Sequence, residues 1–186
     1  MRITGGKARG ITLQTPRGQK TRPAADAVRE SLFSSLGELV IDSRVLDLFA
    51  GTGSYGLEAL SRGAQQVHFV ESDTRCVACI KENLERVLRS SGGVKAVAKV
   101  SRIDAKKWTD KEPGSWDIVI ADPPYEDISS VQERLFGIAE RSLQPDGWLV
   151  LEQPANLDLA VEGWSEVKRL GKKRGDGPAL SFWKRA

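Results

Sequence analysis

The 186-residue chain has only two cysteines and one histidine. Cys76 and Cys79 cannot staple a chain of this length, which excludes a disulfide scaffold and suits a reducing compartment. With His68 they leave too few ligands for a zinc centre, and no metal is expected. No apolar run approaches the roughly 20 residues that cross a bilayer. The opening Met1-Arg2-Ile3-Thr4-Gly5-Gly6 has none of the apolar stretch of a secretory signal. The expectation is a cytoplasmic protein with no membrane partner. The first 25 positions hold no acidic residue. Nor is there an internal repeat or low-complexity tract, which excludes a solenoid or a disordered chain.

With 40% hydrophobic and 28% charged residues, the chain can bury the core of one domain. Its net charge of +3 is unevenly spread. Residues 1–25 carry Arg2, Lys7, Arg9, Arg17, Lys20 and Arg22. Residues 168–186 carry Lys168, Arg169, Lys172, Lys173, Arg174, Lys184 and Arg185 against Asp176 alone, and the stretch between is acidic. Folded onto one face, the two ends would offer phosphates a positive surface. Left apart, they are solvated tails.

Along the chain, residues 2–14 alternate loosely around Gly5-Gly6 and Gly10, which predicts a short β-hairpin or arm. Pro23 suits the first turn of a helix carrying Val28, Leu32 and Leu36, with Gly37 as its stop. Strands and helices then alternate. Strands are predicted over Val45–Ala50, Val67–Glu71, Ala96–Ile103, Asp117–Ala121 and Trp148–Glu152. Helices are predicted over Tyr55–Arg62, 74–90 and 128–142, the second with Val77, Ile80, Leu84 and Leu88 on one stripe and Gly92-Gly93 as its break. Ser165–Leu170 and Ala179–Lys184 follow without a helix between them, hence an antiparallel hairpin. Repeated β-α-β units predict a parallel sheet with helices on both faces. Its ligands should sit beyond the carboxyl ends of the strands, at the loops after Ala50, Val70, Ile103 and Ala121.

The first of these loops, Asp47-Leu48-Phe49-Ala50-Gly51-Thr52-Gly53-Ser54-Tyr55-Gly56, satisfies G-x-G-x-x-G after a strand and before a helix. Glu71 ends the next strand, where a carboxylate can take both hydroxyls of a ribose, with Ser72 beside it. The glycines alone fit a nicotinamide enzyme equally well. Asp47 separates the two. An acid inside the first strand can accept from an ammonium group near the loop, which a dinucleotide lacks and the methionine part of S-adenosylmethionine has. Asp104, followed by Ala105, is placed to meet the adenine amino group.

The fourth loop reads Ala121-Asp122-Pro123-Pro124-Tyr125. Consecutive prolines fix a rigid extended turn and leave the carbonyls of Asp122 and Pro123 available as acceptors. The exocyclic amine of a base is a poor nucleophile, because its lone pair is delocalised into the ring. Accepting hydrogen bonds from its protons localises that pair and stabilises the positive charge that develops on nitrogen. Asp122 and the Pro123 carbonyl can accept, and Tyr125 offers a face on which the base can stack.

On these residues the chain resembles class I S-adenosylmethionine-dependent methyltransferases of the D/N-P-P-Y/F subgroup. More closely it resembles the RsmD family, guanine-N2 methyltransferases of small-subunit (16S) ribosomal RNA. The likeness includes Arg2-Ile3-Thr4-Gly5-Gly6-Lys7, Arg9-Gly10, Thr21-Arg22-Pro23, Val28-Arg29-Glu30-Ser31-Leu32-Phe33, Gly56 to Ala64, Asp122 to Tyr125, Gly175-Asp176 and Leu180-Ser181-Phe182. Ser54-Tyr55 departs from the smaller or aliphatic residues usual there, and residues 90–115 offer no motif that anchors them to the family. The resemblance implies a Rossmann-like α/β class I methyltransferase fold, mostly parallel with a C-terminal antiparallel hairpin. Residues 38–186 would be the methyltransferase domain, and residues 1–37 a small basic N-terminal hairpin and helix that binds RNA. S-adenosylmethionine would be held by Asp47, Phe49, Gly51, Thr52, Gly53, Glu71, Ser72, Asp104 and Ala105. The guanine would be held by Asp122, Pro123, Pro124 and Tyr125, and RNA by Lys7, Arg9, Arg17, Lys20 and Arg22. Ribosomal RNA is the partner implied, naked or in an assembling small subunit, and a monomer is expected.

Other readings stay open at this level. A DNA adenine- or cytosine-amino methyltransferase shares the tetrapeptide but leaves no room here for a sequence-reading domain. A nicotinamide oxidoreductase shares the glycine loop, and a non-catalytic RNA-binding protein shares the basic ends. Cys76-x-x-Cys79 has no second pair to complete a metal site, and His68 alternates within a strand as a packed residue. All five tryptophans follow residue 107; Trp148 and Trp183 read as core or sheet face.

Overall fold

The computed structural model describes residues 1–16, 23–90, 96–111, 113–171, 175 and 177–186, with 23 and 24 by their backbone alone. After an N-terminal arm the chain runs α1 (Pro23–Leu36), β1 (Arg44–Leu48), α2 (Ser54–Ser61), β2 (Gln66–Glu71), α3 (Thr74–Ser90) and β3 (Val97–Arg102). It continues as β4 (Trp116–Ala121), α4 (Ile128–Ser142), β5 (Leu143–Pro154), β6 (Trp164–Leu170) and β7 (Pro178–Arg185). The strands form one sheet in the order β3-β2-β1-β4-β5-β7-β6. β1 to β5 pair in parallel, and β7 lies antiparallel between β5 and β6. The expected mostly parallel sheet with an antiparallel closing hairpin is what forms.

The central strands are apolar on both sides because both sides are covered. Val45, Phe69, Ile118 and Ile120 face a core shared with Leu57 of α2 and Ile80 of α3. Leu46, Leu48, Val70 and Val119 face a second core with Leu135 and Phe136 of α4. The order reverses between β1 and β4, the crevice where ligands of such sheets bind.

The arm is the expected hairpin. Ile3 N–H donates to Ile11 O and Gly10 N–H to Ile3 O, each at 2.9 Å. Ile3, Ala8 and Leu13 enter the first core beside Leu32 and Phe33 of α1. Gly6 has a φ of +74°, and a Cβ there would lie 1.9 Å from the Ser61 carbonyl oxygen. Only glycine allows the arm to lie this close to α2.

Two expectations need correction. On α3 the buried residues are Cys76, Val77, Ile80, Asn83 and Val87, with Leu84 and Leu88 at the margin. Asn83 is tolerated inside because its amide is used: it accepts from Gln14 N–H at 2.7 Å and donates to Gln14 O at 3.0 Å. The fifth strand is also longer than Trp148–Glu152. It starts at Leu143, opposite Trp116, and its Pro145-Asp146-Gly147 stretch is taken up where the register with β4 shifts. Gly92-Gly93 lies outside the described residues. No helix among the described residues is long and apolar enough to cross a membrane.

Candidate active site

Gly51, Gly53 and Gly56 serve different needs at the end of β1. Gly51 and Gly53 have φ of +55° and +81°, the left-handed region that glycine enters freely, and α2 starts on Gly53. Gly56 is required by packing: a Cβ there would lie 2.3 Å from Phe69 Cε1. Phe49 precedes them at a φ of 58°, uncommon for an aromatic residue.

Two carboxylates fix this loop. Glu71 accepts from Gly51 N–H at 2.7 Å through Oε2, and from the N–H groups of Ser72 and Asp73, each at 2.7 Å, through Oε1. Asp47 accepts from Gly56 N–H at 2.9 Å and is 1% exposed. Burial pushes the Asp47 pKa up to about 7, against the pull of the Gly56 bond and with a further push from the Glu71 charge. A cation bound nearby would relieve such a group.

Beside the loop, Phe49, Glu71, Ser72, Asp104 and Ala105 line a single cavity of about 220 Å³. Asp104 accepts from Lys106 N–H at 2.9 Å and so caps the short turn Ala105–Lys107. Lys106 and Asp127 also line this cavity and pair at 3.0 Å, a contribution the sequence did not announce. Thr52 is turned towards the arm, its Oγ1 3.7 Å from Met1 Sδ.

The tetrapeptide follows β4 directly, and Pro124 lines the same cavity. Asp122 N–H reaches Leu48 O at 3.4 Å, which ties the ends of β4 and β1. Ala121 is in register with both Leu48 and Leu151. Asp122 and Glu152 therefore emerge side by side, one residue further along neighbouring strands. Tyr125 Oη donates to Glu152 Oε1 at 3.2 Å, and Tyr55 Oη donates to Oε2 of the same carboxylate. Burial, then the charges of Glu152 and Asp47, hold the Asp122 pKa well above the usual carboxylate range. Glu152 and Tyr55 are the residues that sequence reasoning missed. They lie 97 positions apart, and no local signal joins them.

The family model described as Conserved hypothetical protein 95 matches residues 1–181. Two relatives named ribosomal RNA small subunit methyltransferase D match most of the chain. That of Haemophilus influenzae is 33% identical over 170 residues, covering 90% of this chain and 86% of its own. That of Escherichia coli K12 is 32% identical over 162 residues, covering 87% and 76%. The chain belongs to the RsmD family. The solved structure of the Escherichia coli protein yhhF matches it with a TM-score of 0.81 at 29% identity, over 100% of this chain and 97% of that one.

Elsewhere in this RsmD chain the residues set aside on sequence behave as packing. His68 is buried, its ring edge-on to Trp108 and Nε2 2.9 Å from Ser101 Oγ. Burial, with a push from Lys99, lowers its pKa to about 4, so it is neutral near pH 7. Cys76 and Cys79 are free thiols, and burial raises the pKa of both, that of Cys76 to about 11. Neither is an activated nucleophile. Trp183 is buried and Trp148 partly so, under the Lys184 ammonium. A larger cavity, about 510 Å³, lies on the sheet face around His68, Lys99, Trp108 and Trp116, and none of the glycine-loop or tetrapeptide residues line it. Lys7 and Arg9 project from the arm into solvent; Arg17, Lys20 and Arg22 lie outside the described residues. Of the C-terminal cations, Arg169 is paired with Glu166 and Asp158, while Lys168 reaches Ser35 of α1.

Proposed function

We propose that this chain, acting as a monomer in the cytoplasm, transfers a methyl group from S-adenosylmethionine to the exocyclic N2 amine of a guanine in small-subunit ribosomal RNA. One observation carries the reading: a glycine-loop cavity and an Asp-Pro-Pro-Tyr turn share the crevice at the carboxyl ends of β1 and β4. Names carried by close relatives supply the substrate.

The residues present fit the cofactor. Asp47 is a buried carboxylate whose raised pKa leaves it in need of a cation, and the methionine moiety brings an ammonium group. Glu71 suits the ribose hydroxyls and Asp104 the adenine amine, with Phe49, Ser72 and Ala105 walling the cavity. Gly51, Thr52 and Gly53 bring the loop backbone close. S-adenosylmethionine, when bound, supplies an electrophilic methyl group on a sulfonium. Asp122 and the Pro123 carbonyl accept from the guanine amine, and Tyr125 stacks against its ring. Pro124 keeps the turn rigid. This positions the nitrogen lone pair and stabilises the charge it acquires. No histidine base is required, because the amine loses its proton after the new bond forms. The base must first leave its stack, and single-stranded or splayed RNA makes this easiest. Residues 1–37 form the RNA-binding extension, with Lys7, Arg9, Arg17, Lys20 and Arg22 on phosphates, and residues 38–186 perform the transfer.

The test is incorporation of labelled methyl into assembled small subunits, naked small-subunit RNA and DNA, followed by identification of the nucleoside. N2-methylguanosine from a ribosomal substrate is expected. N6-methyladenine or N4-methylcytosine from DNA would contradict the reading. So would calorimetry in which NAD binds and S-adenosylhomocysteine does not.

A further inference from the structure

The tetrapeptide accepts hydrogen bonds from an amine, and adenine, cytosine and guanine all carry one. Discrimination between the bases must come from what faces the ring nitrogen next to that amine. In guanine one of the two neighbours, N1, carries a hydrogen and donates, while N3 on the other side bears a lone pair. In adenine and cytosine the corresponding N1 or N3 bears a lone pair and accepts.

Glu152 lies where such a neighbour can be read. It lies within β5, one residue beyond the pair Ala121–Leu151 and two before the strand ends at Pro154, beside Asp122. Its orientation is fixed from two sides, by Tyr125 Oη at 3.2 Å on Oε1 and by Tyr55 Oη on Oε2. Burial, with the charges of Glu152 and Asp122, keeps Tyr55 protonated well beyond the usual phenol range, so it remains a donor. A carboxylate accepts about four hydrogen bonds, and the two phenols use one site on each oxygen. Asp122, protonated or not, accepts through at least one oxygen, so it and Glu152 together offer a row of acceptors. A row of this kind matches two adjacent donors and repels a lone pair.

Resting on the methyltransfer reading above, we propose that Glu152 is the residue that selects guanine, by accepting from its N1–H while Asp122 holds the N2 amine. Tyr55 and Tyr125 are positioning residues for this carboxylate. Adenine and cytosine are rejected because their ring-nitrogen lone pairs would face the Glu152 carboxylate.

The experiment uses the base that the wild-type protein methylates, located first by nucleoside mapping, and replaces it with 2-aminopurine in reconstituted substrate. 2-Aminopurine keeps the reacting amine but turns N1 into an acceptor. Wild-type protein should prefer guanine by about 10²-fold or more in kcat/KM, because 2-aminopurine leaves the carboxylate facing a lone pair instead of a donor. Glu152→Gln, whose amide can still accept from one phenol and can donate to N1, should narrow the preference to within about tenfold. Binding of S-adenosylhomocysteine by this variant checks that it is folded. A purely structural Glu152 would lower both substrates together and leave the ratio unchanged, which would overturn the assignment. Wild-type protein that uses 2-aminopurine as readily as guanine would overturn it without any variant. If wild-type protein methylates no guanine at all, the methyltransfer reading itself fails, a distinguishable result.

Discussion

Arg29 Nε donates to Glu58 Oε2 at 3.1 Å, with both side chains sealed inside the protein. Glu58 belongs to α2, the helix that begins at the glycine loop. Its carboxylate also accepts from the N–H groups of Thr4 at 2.8 Å and Gly5 at 2.7 Å, and from Arg62 at 2.8 Å. One buried acid therefore fastens the N-terminal arm, α1 and the helix behind the cofactor loop. Burial works to raise the Glu58 pKa, but the bonds from Thr4 and Arg62 and the Arg29 charge outweigh it and hold it below 4.5.

Removing that acid leaves the buried Arg29 guanidinium with Asp26 as its one remaining carboxylate, at 2.9 Å, and the N–H groups of Thr4 and Gly5 without an acceptor, so Glu58→Ala should cost about 3 kcal/mol of stability. Because the folded pKa is depressed, the stabilisation is present above pH 4.5 and is lost as pH falls below it. Urea unfolding at pH 4 and pH 7 measures this, and hydrogen exchange over residues 3–13 should report a loosened arm. An arm as protected as in the wild type would remove Glu58 from this role.

Asp47 behaves in the opposite sense. Its folded pKa of about 7 exceeds the ordinary 3.8, so the folded protein keeps a proton that the unfolded chain has lost. Without cofactor, stability should decline as pH rises from about 4 to 7 and level off above. Asp47→Asn should remove that decline and add on the order of 3 kcal/mol at pH 8, while S-adenosylhomocysteine binding is lost. Denaturation at pH 5 and pH 8 with calorimetry tests it, and an equal effect at both pH values would contradict it.

Glu71→Ala should weaken S-adenosylhomocysteine by about 1–3 kcal/mol, the cost of a lost charged acceptor. The backbone donors of Gly51, Ser72 and Asp73 lose their partner at the same time, so protection of the glycine loop should fall as well. A folded variant with unchanged affinity would place the cofactor elsewhere.

Lys7→Glu with Arg9→Glu should weaken RNA without altering S-adenosylhomocysteine affinity. If each residue neutralises one phosphate, the slope of log affinity against log salt should flatten by about 2. An unchanged slope would reduce these residues to solvated surface.

Much of this was legible because the deciding residues are neighbours in sequence. The three glycines, the acid 20 positions on and the proline pair declare a loop, a strand end and a rigid turn by local stereochemistry. α3 spans Thr74–Ser90, the residues its periodicity marks. Its buried face was misjudged because periodicity counts apolar residues, and Asn83 earns its place through the backbone of Gln14. Glu152 stayed hidden for a related reason. In sequence it is one polar residue following the apolar run Trp148–Leu151; only sheet register sets it beside Asp122 and under two tyrosines, one of them 97 positions away.

The most direct measurement is single-turnover methyl transfer by Asp122→Ala with cofactor and RNA both saturating. The account predicts retained binding of both and a rate lowered roughly 10²–10³-fold, as when one preorganised polar contact is removed, with Asp122→Asn milder because its amide oxygen still accepts. A near wild-type rate in Asp122→Ala would contradict it.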